Sequence, residues 1–168
     1  MNESQTIRIW HENLAAMRVS ERLPLSALTP DEHIHGGLRL QFGGRFVPYL
    51  GYFGPDDACF NTWLEELWSA ARAFESAADA RHVFDEGEQG QPAFVFERSG
   101  DRAFFSITDS EFSGGEADPE WQRIEFSPDE FLAEHGRFRE SFFAAVRAAA
   151  PHVADQWIRQ HDPNTRNA

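Results

Sequence analysis

The sequence predicts one α+β domain: an antiparallel sheet of about five to seven strands packed against two main helices, plus a short C-terminal helix. Two hairpin patterns occur without the strand-helix alternation of parallel sheets, and an amphipathic helical segment follows each group of strands. A chain of 168 residues, 41% of them hydrophobic, can bury one core without disulfides or metals. We expect a single domain over 1–168, with its core at about 6–160 and a frayed tail at 161–168.

The first segments predict a strand and a hairpin. Residues 6–10 alternate β-favouring side chains and predict a strand, whereas residues 13–17 could begin a short helix. In 37–42, apolar side chains alternate with polar ones, a pair of glycines then supplies a turn, and 45–50 return. These residues predict a hairpin with one apolar face.

A helix and a second group of strands follow. Between 61 and 78, apolar residues recur at helical spacing, and Thr62 with Glu65 offers a capping box. The hydrophobic period then changes to two, which predicts strands at 82–84, 92–98, 102–108 and 121–126. The segment 109–120 is rich in Ser, Gly and acids and predicts a loop.

The last third of the chain predicts helices. Ser127, Pro128 and Glu130 combine an N-cap, a proline at the first helical position and a reciprocal glutamate, worth about 1 kcal/mol. A helix begins there, Gly136 could divide it, and Pro151 starts a last short helix. We expect these residues to lie mostly in the core: Trp63, Leu67, Phe74, Phe94, Phe96, Phe104, Ile124, Phe131 and Phe142.

Charge is distributed unevenly along the chain. The formal net charge is −13, and residues 56–136 hold twenty acids against five arginines. A field of this sign repels nucleic acids and anionic membranes, so we expect neither as a partner and expect a basic protein instead. All fifteen basic residues are arginines, which indicates a GC-rich bacterial genome.

Cysteine content and hydropathy predict the cellular compartment of the protein. Cys59 is the only cysteine, so no intramolecular disulfide is possible, and we expect it to be a small buried apolar residue. The first ten residues lack the apolar run of a signal peptide, and no stretch of about eighteen apolar residues occurs. The sequence therefore predicts a cytoplasmic protein.

Residues with catalytic or metal-binding chemistry form no recognisable motif. His33 and His35 would share one face of a strand and could hold a metal, but neither a cysteine nor a correctly spaced acid lies near them in the sequence. Nucleophile elbows, HExxH and CxxC are absent. We therefore predict no catalytic residue, no metal site, no cofactor and no enzymatic activity.

Two groups of residues are candidates for binding a partner. Acidic residues are grouped in a turn and a loop at strand ends, and aromatic residues lie after the first hairpin. Grouped carboxylates can pair with Arg and Lys of a partner, and calcium is the rival ligand, although the spacing does not match an EF-hand. The candidates are Asp85, Glu86, Glu88, Asp109, Glu111, Glu116, Asp118, Glu120, Tyr49 and Tyr52.

The order of elements resembles small immunity proteins of bacterial polymorphic-toxin systems, including contact-dependent and type VI secretion systems. The likeness covers roughly residues 37–147. It lies in the hairpin GGLRLQFGGRFVPYLGYF, the helix NTWLEELWSAARAF, the strand pair PAFVFERSGDRAFFSI and the later FSPDEFLAEHGRFRESFFAAV. The resemblance implies a cytoplasmic inhibitor that binds a cognate toxin domain and masks its active site.

Two alternatives fit the same sequence. An acidic nucleic-acid mimic that inhibits a DNA-binding protein would show the same charge pattern. A small enzyme with an unrecognised site is the alternative from another class.

Overall fold

The computed structural model describes residues 6–166 and confirms the α+β class with antiparallel strands. It adds that the strands divide between two sheets. The first sheet consists of β1 (Ile7–Arg18), β2 (Glu21–Pro24), β3 (His33–Phe42), β4 (Arg45–Phe46) and β5 (Ala58–Cys59). Its strand order is β2-β1-β3-β4, and β5 pairs with β3 outside this order.

The second sheet consists of β6 (Asp79–Phe84), β7 (Ala93–Ser99), β8 (Arg102–Thr108) and β9 (Ile124–Phe126). These four strands form a meander in the order β6-β7-β8-β9. All neighbouring strands are antiparallel, so the connections after β6 and β8 leave the same end of this sheet. That end carries the acidic turn and the acidic loop.

Within residues 6–166, two long α-helices pack with the sheets, and two short α-helices follow them. The helices are α1 (Phe60–Ser76), α2 (Pro128–Ala149), α3 (Ala154–His161) and α4 (Pro163–Arg166). The predicted cap of α2 is present, since the Glu130 main-chain N–H donates to the Ser127 hydroxyl at 3.2 Å. Gly136 lies inside the helix and does not divide it.

The core is built mainly from phenylalanine. Phe42 on β3 stacks on Phe105 of β8 with ring centroids 5.0 Å apart, so the two sheets meet through aromatic rings. The ring centroids of Phe74 on α1 and Phe131 on α2 lie 5.4 Å apart. Of the nine residues predicted for the core, eight are buried and Ile124 is partly buried against the cluster.

Three local predictions are wrong. Residues 13–17 do not start a helix: they continue β1 past a bulge between Glu12 and Ala15, where Asn13 takes a positive φ of 53° that asparagine tolerates. The return strand of the first hairpin covers only Arg45–Phe46. Helix α1 begins two residues before Thr62, with Cys59 at its N-cap, because pairing of β5 with β3 determines where the strand ends.

The segment expected to be a frayed tail is helical as far as Arg166. The buried Asp162 carboxylate forms an ion pair with Arg139 at 2.7 Å and accepts a hydrogen bond from the Asn164 main-chain N–H at 3.1 Å. Arg166 also forms an ion pair with Glu65 on α1. Residues 167–168 lie outside the described residues.

Candidate functional site

The acidic turn and the acidic loop lie side by side at one end of the second sheet. The Asp85 carboxylate accepts hydrogen bonds from the Ser110 hydroxyl at 2.6 Å and from the Glu111 main-chain N–H at 2.7 Å. Gly87 has a positive φ of 72°, and a Cβ there would lie 2.4 Å from the Cβ of Phe112. The two segments, 85–91 and 109–120, therefore form one surface, called the acidic end below.

Gln91 fixes the aromatic segment beside the acidic end. Its buried side-chain amide donates to the main-chain oxygens of Tyr49 at 3.0 Å and Gly51 at 3.1 Å. Its own main-chain oxygen accepts from the Ser113 hydroxyl at 2.8 Å. A Cβ on Gly115 would lie 2.2 Å from that same oxygen, so only glycine fits there. One residue thus joins three segments that are distant in the sequence.

The acids of this surface have two different roles. Asp85, Asp109 and Asp118 accept hydrogen bonds from nearby main-chain N–H groups, and Glu86 accepts the Tyr52 hydroxyl at 2.6 Å. Four exposed glutamates have no hydrogen bond or ion pair to their carboxylates within the described part of the chain. These are Glu88, Glu111, Glu116 and Glu120. The aspartates shape the loops, and the glutamates present free charge.

The structure brings the ten candidate binding residues to one region, although they differ in accessibility. Tyr49 is 53% exposed, whereas Tyr52 is partly buried and lines a cavity beside the acidic end. Two phenylalanines are more exposed than either tyrosine: Phe53 at 80% and Phe112 at 73%. Phe112 was not predicted as a binding residue, and the available signal was a lone aromatic within a loop of serine, glycine and acids.

The cavity beside the acidic end has a volume of about 540 Å³ and is called the thiol cavity below. Tyr52, Glu86 and Glu88 line it on the side of the acidic turn. Cys59, His33 and His35 also line it. The cavity therefore joins the acidic surface to the only thiol of the chain.

Strand register explains how these three residues meet. His33 and His35 are two apart on β3, so their side chains share one face of the sheet. Cys59 on β5 is paired directly with His35, which places its side chain on that same face. The sequence gives no sign that the two histidines have this partner, because Cys59 lies 24 residues after His35 and reaches it only through this short strand.

The geometry of the cluster is compact. The Cys59 Sγ lies 3.6 Å from His33 Nδ1, and one ligand atom from each of the three residues lies within 4.8 Å of the other two. His35 Nδ1 lies 2.7 Å from the Asp57 carboxylate, so its Nε2 is the ring nitrogen left to interact with Cys59. Cys59 is buried as predicted, at 3% exposure, but it is a polar partner of two imidazoles.

The surroundings shift the acidity of the cluster toward a thiolate. Burial raises the pKa of Cys59, but hydrogen bonds from His33, His35 and Thr62 outweigh it and lower the pKa to about 5. Hydrogen bonding to Cys59 raises the pKa of His33. For His35, burial lowers the pKa, but the hydrogen bonds to Cys59 and Asp57 outweigh burial, so the net pKa is raised. At neutral pH the cluster favours a negatively charged sulfur.

The hydrogen-bonded pair of Tyr52 and Glu86 also lines the thiol cavity. Burial, together with the hydrogen bond to Glu86, raises the pKa of the Tyr52 phenol strongly, so this hydroxyl stays a donor. Burial also raises the pKa of Glu86. The pair therefore holds the acidic turn against the aromatic segment.

Comparison with protein-family models, curated proteins and solved structures finds no match to this chain. The resemblance to immunity proteins stays a prediction, since none of these comparisons tests it. Within residues 6–166, no helix combines the length and apolar character needed to cross a bilayer.

Proposed function

We propose that this chain is a binding protein that holds a basic protein partner at its acidic end. The observation that carries the proposal is the convergence of two acidic segments and one aromatic segment on a single surface, through Asp85, Gln91 and the Tyr52 to Glu86 contact. Residues in 85–91 and 109–120 include eight acids and no basic residue.

Free carboxylates on this surface suit recognition of arginine and lysine. Glu88, Glu111, Glu116 and Glu120 are exposed and carry no ion pair within the described residues, so a partner can pair with them without breaking contacts of the fold. Charge complementarity of this kind raises association rates by about 10- to 1,000-fold and is weakened by salt.

Exposed aromatic rings next to the acids supply apolar contact. Phe53 and Phe112 each expose more than two thirds of their surface, and Tyr49 about half. Aromatic residues dominate the energetic centres of protein interfaces, where they bury large areas with few rotatable bonds. The acidic end thus combines long-range attraction with short-range anchors.

The resemblance of residues 37–147 to immunity proteins supplies the biological setting of the proposal. The partner would be a cognate toxin domain with a basic active-site surface, and the acidic end would mask that surface in the bacterial cytoplasm. A nuclease toxin fits this chemistry, because its substrate groove is basic.

The experiment is co-expression of this chain with the product of the neighbouring gene, followed by association kinetics at low and high salt. A stable one-to-one complex is expected. Replacing Glu111, Glu116 and Glu120 together by glutamine should slow association at least tenfold at low salt and flatten the salt dependence, with little change at high salt.

The matched control removes three charges elsewhere. Asp79 and Asp101 lie at the opposite end of the second sheet, and Glu140 lies on α2; all three are exposed. Replacing them by the corresponding amides should leave the association rate nearly unchanged. Equal effects of the two triple variants would refute the proposed surface, and capture of a DNA-binding protein would favour the nucleic-acid mimic.

A further inference from the structure

We propose that His33, His35 and Cys59 form a binding site for a divalent transition-metal ion of the zinc class, with a fourth coordination position open to the thiol cavity. This inference is independent of partner binding at the acidic end. Its three ligand residues are not part of the proposed interface, although Glu86 and Glu88 of the acidic end line the same cavity.

The donor set and its spacing fit such an ion. Two imidazole nitrogens and one thiolate are ligands that zinc prefers. With a metal–sulfur bond of about 2.3 Å and a metal–nitrogen bond of about 2.0 Å, tetrahedral ligands are roughly 3.5 Å apart. The Cys59 Sγ and His33 Nδ1 are 3.6 Å apart, and all three donors lie within 4.8 Å of one another.

Asp57 supplies the outer contact that a metal-binding histidine needs. Its carboxylate lies 2.7 Å from His35 Nδ1, so that nitrogen carries the proton and Nε2 keeps its lone pair for a metal. Carboxylate partners of this kind orient the ring and raise the basicity of the ligand nitrogen. The proposed site thus has three ligand residues and a carboxylate, that of Asp57, that orients one of them.

Main-chain hydrogen bonds and strand pairing fix the positions of these groups. His35 and Cys59 are opposite one another on paired strands. In the loop before β5, the Tyr52 main-chain N–H donates to the Asp57 main-chain oxygen at 3.2 Å. The Asp57 main-chain N–H donates to the Gly54 main-chain oxygen, also at 3.2 Å. A Cβ on Gly51 would lie 1.9 Å from the Gly54 oxygen, so this tight loop requires glycine.

The second histidine favours a metal over a cysteine nucleophile. Cys59, His35 and Asp57 would suffice as nucleophile, base and orienting acid, and that arrangement gives His33 no role. A metal uses all three donor side chains. Glu86 and Glu88 line the same cavity, and their negative charge favours a cation over an anionic reaction intermediate.

Three protein ligands leave the coordination sphere incomplete. Structural zinc sites are closed by four protein ligands, whereas sites with three ligands keep one position for water or another molecule. The open position would face the cavity of about 540 Å³. The geometry therefore points to an exchangeable fourth ligand.

Cobalt spectroscopy on the full chain tests the proposal. The purified protein is treated with a chelator and titrated with Co²⁺, then with Zn²⁺. We expect one Co²⁺ per chain, with a sulfur-to-cobalt charge-transfer band that Zn²⁺ abolishes. Because Cys59 is the only cysteine, this band reports that residue alone. Bound Zn²⁺ should also slow alkylation of the thiol.

Variants separate ligands from bystanders. Asp57→Asn should weaken metal binding by about 10- to 100-fold, the usual effect of losing an outer partner. His33→Gln should weaken it further, and because His33 is exposed this variant should fold normally, as circular dichroism checks. His82→Gln is the control, since His82 lies outside the cluster and, like His35, has a ring nitrogen 2.7 Å from a carboxylate, here that of Glu66.

Three results would overturn the site. One is a cobalt titration without a charge-transfer band. Another is equal affinity in His33→Gln and His82→Gln. The third is a Cys59 alkylation rate that is the same with and without Zn²⁺, which would assign the cluster to nucleophilic thiol chemistry.

Discussion

Phe142 and Phe112 show how differently one residue type is used in two regions of this molecule. Phe142 on α2 is fully buried and stacks on Phe60 with ring centroids 4.9 Å apart. Phe112 at the acidic end is 73% exposed and lies over Gly87. Burying a phenylalanine side chain stabilises a fold by about 1.5 to 3 kcal/mol. Phe142 contributes this free energy to the core, whereas the exposed Phe112 does not. The core is held by apolar contact, whereas the acidic end is held by polar bonds to the main chain.

The largest effect is expected when the core is broken. Phe142→Ala should lower the free energy of unfolding by about 3 to 5 kcal/mol, because it removes a buried ring and leaves a cavity among Phe60, Phe138 and Trp157. Denaturant unfolding measures this change. An unchanged midpoint would contradict the packing of α2 against α1.

The second effect concerns His135, a histidine buried in the core beside Phe131. Burial, reinforced by Arg139 and opposed by Asp162, lowers its pKa to about 4. As pH falls, the His135 imidazole therefore becomes protonated in the unfolded chain before it does so in the folded protein. The stability present above about pH 6.5 is lost progressively down to about pH 4. The loss should reach about 3 kcal/mol.

Unfolding free energies measured across that pH range test the effect. His135→Phe removes the titrating group, and its Nε2 has no hydrogen-bond partner to lose within the described residues. The variant should show a shallower dependence between these two pH values. A slope identical to that of the parent would mean that other groups carry the acid sensitivity.

The smallest effect on stability is expected at the acidic end. Phe112→Ala removes an exposed ring and should change the free energy of unfolding by less than about 0.5 kcal/mol. If the proposed interface is correct, the same variant should speed dissociation of the partner. A large loss of stability would instead place Phe112 among the residues that hold the loop.

Most residues of the acidic end can be predicted from sequence, but their assembly into one surface cannot. The sequence predicts the acidic turn and the acidic loop at strand ends, and antiparallel order alone brings both to one end of a sheet. The aromatic segment joins them through a side-chain amide, that of Gln91, whose sequence neighbours give no sign of this role. The exposure of Phe112 is likewise not predictable from its sequence neighbours, because it depends on how the loop packs.

By itself the sequence determined the α+β class, most of the core phenylalanines and the Ser127 cap, because periodicity and capping depend on residues within a few positions of one another. Only the tertiary structure decided where Cys59 lies. A two-residue strand has no pattern of its own, and its pairing with His35 follows from how the loop before it and the helix after it pack. The cluster of His33, His35 and Cys59 is therefore a product of register, which local sequence does not encode.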